Sequence, residues 1–152
     1  MLVEAHQRLV SLSELTELDD SGLSPAEQLH ALLQRLVDGV TRMEGWPTRL
    51  LAREIASPGS HLHALFSNEV APKMARVMGL LGRITGIPEH DPALLRCFFS
   101  VGAPCLMLVL GGNLPGPIRD VARVPAPLLV QHLHDYAMAG LQAIGHRYRE
   151  AG

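Results

Sequence analysis

The stretch Ser24–Met43, SPAEQLHALLQRLVDGVTRM, carries the clearest local signal in the chain. Its first four residues have the order of a capping box, with Ser24 as N-cap, Pro25 at the first helical position and Glu27 at the third. Proline is harmless there, because its missing N–H would have had no intrahelical acceptor. Leu29, Leu32, Leu33, Leu36, Val37, Val40 and Met43 then recur at the spacing that a 3.6-residue turn gathers on one face. Gln28, Arg35, Asp38 and Arg42 are expected to point elsewhere. An amphipathic helix of this kind must bury its leucines against other elements, and the flanking sequence supplies them in the same form.

Upstream, Leu2, Ala5, Leu9 and Leu12 predict a short helix that ends in the polar stretch Asp19-Asp20-Ser21-Gly22. Downstream, Pro47 opens a helix carrying Leu50, Leu51, Arg53, Glu54 and Ile55, which Ser57-Pro58-Gly59 stops. From about Ser60 to Thr85 helical spacing continues through Leu62, Phe66, Met74, Val77, Met78, Leu81 and Ile84. Pro72 removes the bond to the Asn68 carbonyl, so a kink is expected between Val70 and Pro72. Gly86-Ile87-Pro88 ends that helix, and Asp91-Pro92 caps the next. Pro92 to Leu110 is apolar on nearly every side and predicts a central helix. A Gly- and Pro-rich connection, Gly111 to Ala126, should contain a turn of helix over Ile118–Arg123. The last helix runs from about Pro127 to Arg149, with Arg147 and Arg149 at the negative end of its dipole. No internal repeat breaks this pattern, and the reading is one all-α domain over residues 1–152.

The composition agrees. Of 152 residues, 47% are hydrophobic and 18% charged, enough apolar material for one domain with a proper core. A formal net charge of -2 lacks the general basicity that phosphate neutralisation requires, so no nucleic-acid binding is expected of this chain by itself. Aromatic residues, at 4%, are too few for base-stacking platforms or a β-rich core. Cys97 and Cys105 stand on one predicted helix, separated by about 12 Å of rise, and cannot pair. The opening MLVEAHQRLV lacks the charge and cleavage pattern of a signal peptide. The longest apolar run, Cys97 to Gly112, includes Ser100 and Pro104 and is short for a bilayer. A cytoplasmic location is expected.

The last helix has more apolar surface than one core can use. Leu129, Leu133, Tyr136, Gly140 and Ala143 form one stripe, and Val130, Ala137, Leu141, Ile144 and Tyr148 form a second about 90° away. Gly140 and Ala143 permit close approach of another helix. Together with Phe99 and Leu106 on the preceding helix, Leu129, Leu133, Tyr136, Ala137, Gly140, Ala143 and Ile144 are the candidate surface of a homodimer. Two chains would then build a symmetric four-helix bundle.

Chemistry is sparse. Two His-Leu-His triplets, His61–His63 and His132–His134, place their imidazoles on opposite sides of a helix, whereas metal ligands on a helix need spacings of three or four. No metal and no cofactor are expected, since HExxH, CxxC, GxGxxG, GxSxG and Gly-rich phosphate loops are missing. Cys97 and Cys105, in an apolar helix, should be inert. Arg53 and Glu54 fall in an apolar segment and, as immediate neighbours, are expected to find partners elsewhere. They are candidate polar anchors of a ligand pocket whose apolar wall would come from Trp46, Phe66, Met74, Met78, Phe98 and Met107. Two other readings remain open: a small helical enzyme using Glu54, Arg53 and a histidine such as His63, and a ligand-free dimerisation module.

The segment Leu50–Met74, LLAREIASPGSHLHALFSNEVAPKM, resembles the characteristic stretch of the C-terminal domain in one branch of the tetracycline-repressor (TetR) family of transcription regulators. The Arg53-Glu54 pair, the Ser57-Pro58 break, the helix kinked at Pro72, the apolar FFSVGAPCLML and the amphipathic last helix carry the likeness. It implies an all-helical, effector-binding and dimerising domain whose last two long helices form a four-helix bundle with a partner copy. It further implies that residues 1–18 correspond to the helix connecting a helix-turn-helix DNA-binding domain, absent from this sequence, to the ligand-binding body. DNA would be bound only through that domain, and the effector would be a small, largely apolar molecule.

Overall fold

Ser24 N–H donates to Glu27 Oε2 at 2.8 Å and Glu27 N–H donates to Ser24 Oγ at 3.3 Å, the reciprocal bonds of a capping box. In the computed structural model, residues 9–42, 46–57, 59, 63–64, 66–111 and 114–152 are described, apart from the side chains of residues 46–48, 51 and 55. Their regular structure is helical throughout. The order is α1 (Leu12–Asp19), α2 (Pro25–Arg42), α3 (Trp46–Ala56), a π turn (Phe66–Val70) running into α4 (Ala71–Thr85), α5 (Pro92–Gly111), α6 (Pro117–Ala122) and α7 (Ala126–Ala151).

The first helix differs from expectation. Ser11 is extended (φ -85°, ψ 159°) and forms a second capping box with Glu14, so α1 begins at Leu12 instead of continuing from Leu9. A serine with glutamate three residues on outweighs the apolar spacing across it. Residues 1–8 lie outside the described residues. The kink at Pro72 takes the form of the π turn, whose wider ring absorbs the proline at the start of α4. Gly86, at φ 75°, ends α4 in the left-handed conformation that a side chain resists.

The core is built where α2, α4, α5 and α7 meet, with α1 packed against α2 and α4. Leu29 and Leu33 of α2, Leu81 of α4, Leu94 of α5 and Val130 of α7 are fully buried, each contributing about 1.5–3 kcal/mol of apolar burial. Gln28, expected to face away, is buried instead. Its Nε2 donates to the Leu23 carbonyl at 2.9 Å and its Oε1 accepts from Arg83 at 3.0 Å, which makes burial of the amide tolerable. The last turn of α1 is tied to α4 through Asp19, which pairs with Arg76 at 2.9 Å and Arg83 at 3.4 Å.

α5 is not buried all round. By length and composition it could cross a membrane. In the fold, Leu94, Cys97, Leu108 and Val109 are packed in the core, while Leu95, Phe99, Leu106 and Met107 are exposed. The expectation of a wholly enclosed central helix fails because its neighbours in this chain cover only one flank.

Asp91 caps α5 as expected, accepting the Ala93 N–H at 2.8 Å, and also accepts the Tyr148 hydroxyl at 2.7 Å. These two bonds hold its carboxyl below the ordinary aspartate value. A carboxylate with a lowered folded pKa stabilises above its unfolded pKa, near 3.8, and loses that contribution as pH falls through the folded value. Asp91→Ala should therefore lower the melting temperature at pH 7, with its gap to wild type narrowing as pH falls below 3.8. A gap that stays constant from pH 7 to 2.5 would contradict the assignment.

Candidate functional site: an apolar cavity and an exposed two-helix face

A cavity of about 250 Å³ lies between α1, α2, α4 and α5. Leu15 comes from α1, Leu32, Leu33, Leu36 and Val40 from α2, Met74 and Val77 from α4, and Phe98, Val101 and Cys105 from α5. Val70 of the π turn and the backbone segment Leu9–Val10 complete the wall. These residues project inward because each helix turns its apolar arc to the common centre. Cys105 lines the cavity, and burial pushes its thiol up to about 11; Cys97 is raised by burial too. Both thiols are protonated at neutral pH and chemically quiet.

One wall residue is charged among the described lining, Lys73. It is only 9% exposed, and burial holds its ammonium below the ordinary lysine range, while the carboxylates of Glu69 and Glu14 act in the opposite direction. Sequence reasoning passed over Lys73. The signal was present: Lys73, Val77, Leu80 and Leu81 stand at i, i+4, i+7 and i+8, so the lysine occupies an apolar position of the helix.

Of the candidate pocket residues, Met74 and Phe98 are in the cavity wall. Met78 is half-buried against the core, and Phe66 and Met107 are exposed. The Trp46 side chain lies outside the described residues. Arg53 and Glu54 are on α3, outside this lining. Contrary to the expectation of separate partners, Arg53 Nη2 approaches Glu54 Oε1 at 3.8 Å, with the arginine side chain 76% exposed. Neighbouring residues reach each other when one side chain folds back along the helix. Glu54 Oε2 also accepts the Gly59 N–H at 3.3 Å, tying the end of α3 to the following loop.

The second feature is the outer face of α5 and α7. The stripe Val130, Ala137, Leu141 and Tyr148 turns inward, with Ile144 at its exposed margin. Of the other stripe, Leu129 is buried and Leu133 half-buried, whereas Tyr136 is 77% exposed and Gly140 and Ala143 are open to solvent. On α5, Phe99 is 73% exposed and Leu106 also reaches the surface. A groove between the two helices, of about 200 Å³, is lined by Ser100, Pro104, His132 and Tyr136 over Leu33, Val101, Leu133 and Ala137. Of the candidate interface residues, Leu133, Tyr136 and Ala137 of α7 line this groove, whereas Phe99 does not line it and Leu106 lines the apolar cavity instead.

The histidines are dispersed. His134 Nε2 is 2.9 Å from the Ala26 carbonyl and its ring meets His30 edge to face, whereas His63 and His132 are exposed. Among the described residues, no three His, Cys, Asp or Glu side chains are grouped to hold a metal ion. His61 lies outside those residues.

Comparison with known proteins places this arrangement. The family described as HTH-type transcriptional dual regulator CecR, C-terminal domain, matches residues 25–144, from the first turn of α2 into the last turns of α7. That is a regulator family and not an enzyme family. No curated protein matches the chain. With four-fifths of its length matched and an all-helical fold of the expected order, the chain belongs to the family of CecR C-terminal domains, the C-terminal domain type of a TetR-family transcription regulator.

Proposed function

We propose that this domain senses a small, largely apolar effector in the cavity between α1, α2, α4 and α5, dimerises through α5 and α7, and thereby controls DNA binding by the regulator. The cavity carries the reading. Mostly apolar concavities with few polar groups are where small molecules bind, and this one is walled by four helices and by the segment Leu9–Val10 that leads back toward the N-terminus. An effector that prefers one arrangement of those elements would shift the population of the dimer and, through linkage, its affinity for DNA. As a DNA-directed regulator it would work in the cytoplasm.

The dimer half of the proposal rests on the groove between α5 and α7 with Tyr136 at its edge and on the exposed Phe99 of α5, surfaces that a second copy would cover. The α5 face of one chain laid on the α7 face of another gives the four-helix bundle. A ligand-free dimerisation module would share this face but not respond to small molecules.

Melting-temperature shifts separate the two. A ligand at about 100 times its Kd adds about 2.7 kcal/mol to the folded state, or roughly 5–11 °C for a domain of this size. A panel of apolar compounds such as indole, 1-naphthol and 1-octanol is expected to include members that raise the melting temperature, and Met74→Trp, which fills the cavity, is expected to abolish the shift. If no compound acts, or if Met74→Trp leaves the shift intact, the cavity is not an effector site.

A further inference from the structure

We propose that effector binding and pairing of the two chains oppose each other, through a wall one side chain thick that the cavity shares with the groove between α5 and α7. This goes beyond the sensor and dimer readings above and rests on both. The cavity of about 250 Å³ and the groove of about 200 Å³ are separate voids, yet among the described residues Leu33 of α2 and Val101 of α5 line both. Leu33 is buried and Val101 half-buried, and each borders a void on two sides. A side chain packed all round is held by its neighbours; one with a gap behind it lacks those contacts and yields into the gap. The helix under this wall is also easier to bend. Pro104, inside α5, offers no N–H to the Ser100 carbonyl, and a Cβ built at Gly102 would meet no atom within 4 Å. Ser100 and Pro104 line the groove while Gly102 and Cys105 line the cavity, so one stretch of α5 forms the partition.

The sign follows from volume. A second copy that fills the groove presses Val101 and Leu33 toward the cavity, and an effector that fills the cavity presses them back. Each void has its full depth only while the other is empty, so each occupant weakens the other, and by the same factor in both directions. In a regulator that grips DNA as a pair, the effector would then act by loosening the pair.

The test fills the cavity permanently and reads association. Met74→Trp and Val77→Phe add bulk from α4, and neither position lines the groove. Sedimentation of the full chain over a dilution series is expected to show the dimer dissociation constant raised at least about fivefold by either substitution. With Val101→Ala added, the wall has room to yield, and the same fillings should change the constant less than about twofold. Circular dichroism reports the fold of each variant, and the second filling decides if the first prevents folding. Saturating 1-naphthol, or whichever of indole and 1-octanol raises the melting temperature, should act as the fillings do. Its own affinity should fall at least about fivefold between chain concentrations well below and well above the dimer constant. A constant unchanged or lowered by filling and by the compound would overturn the opposition while leaving sensor and dimer intact. An effect that persists undiminished with Val101→Ala would overturn it as well, by placing the route outside this wall. A wild type that is monomeric throughout would remove the dimer reading, a panel without effect on the melting curve the sensor reading, and either would take this inference with it.

Discussion

Gly145→Leu is expected to unfold the domain at temperatures where the wild type is stable. A Cβ at Gly145 would stand 2.5 Å from the Thr85 carbonyl oxygen, 3.0 Å from its Cα and 3.1 Å from its carbonyl carbon. These are backbone atoms and cannot swing aside. Thr85 is itself fixed: it is fully buried, its hydroxyl donates to the Leu81 carbonyl at 2.8 Å and accepts the Ile87 N–H at 3.2 Å, and its carbonyl accepts from Arg149 at 3.0 Å. Any side chain at 145 must therefore push α7 off α4, opening the packing around Leu81 and Leu141. Overpacking of this kind costs about 3 kcal/mol or more, a fall of roughly 6–12 °C in melting temperature. Thermal denaturation followed by circular dichroism checks it; a change under 2 °C would mean that α7 does not approach α4 so closely.

Five residues earlier on the same helix, Gly140→Arg is expected to leave the fold alone and split the proposed dimer. No atom lies within 4 Å of a Cβ built at Gly140, so the monomer has room for the arginine, and arginine favours a helix over glycine by most of 1 kcal/mol. A dimer using this face would have to bury that guanidinium without a partner, which weakens association by at least about a hundredfold. Sedimentation at micromolar concentration should show wild-type chains as a species of twice 16.5 kDa and the variant at 16.5 kDa with an unchanged melting curve below the association range. A monomeric wild type, or a variant that stays paired, would remove this face as the interface.

Local chemistry in the sequence foretold much of the fold. Ser24, Asp91 and Gly86 mark helix ends through bonds that involve residues two to four positions away, and these can be read without knowing the fold. The proline-induced irregularity before α4 belongs to the same class. Ser11 was as legible as Ser24, but apolar spacing across it concealed the cap. Long-range pairings were not legible: Gln28 with Arg83, Asp19 with Arg76 and Tyr148 with Asp91 join residues more than fifty positions apart.

The site was less readable than the fold. Periodicity gives the apolar arc of a helix but not how far a neighbour covers it, so α5 looked enclosed when one flank is open, and Phe66 and Met107 looked inward when they face solvent. Met74 and Phe98 share apolar positions with the core and were within reach of the same reasoning. Lys73 stood on the same apolar stripe but was passed over, because a charged residue there is normally discounted as one that reaches out to water. Two stripes on α7 were visible from spacing; only the packing against α2 and α4 assigns Val130 and Leu141 to the interior.

The arrangement also sets an order of events at the ribosome. Val130 and Leu141, which close the core over α2 and α4, are made after every other core residue. At 5–20 residues per second, translating the 26 residues of α7 takes about 1–5 s. Throughout that interval α5, already complete and as apolar as a membrane span, lacks α7 to cover it. The newborn chain is then at its most adhesive, and a chaperone that recognises extended apolar helices would find its target between Pro92 and Gly111.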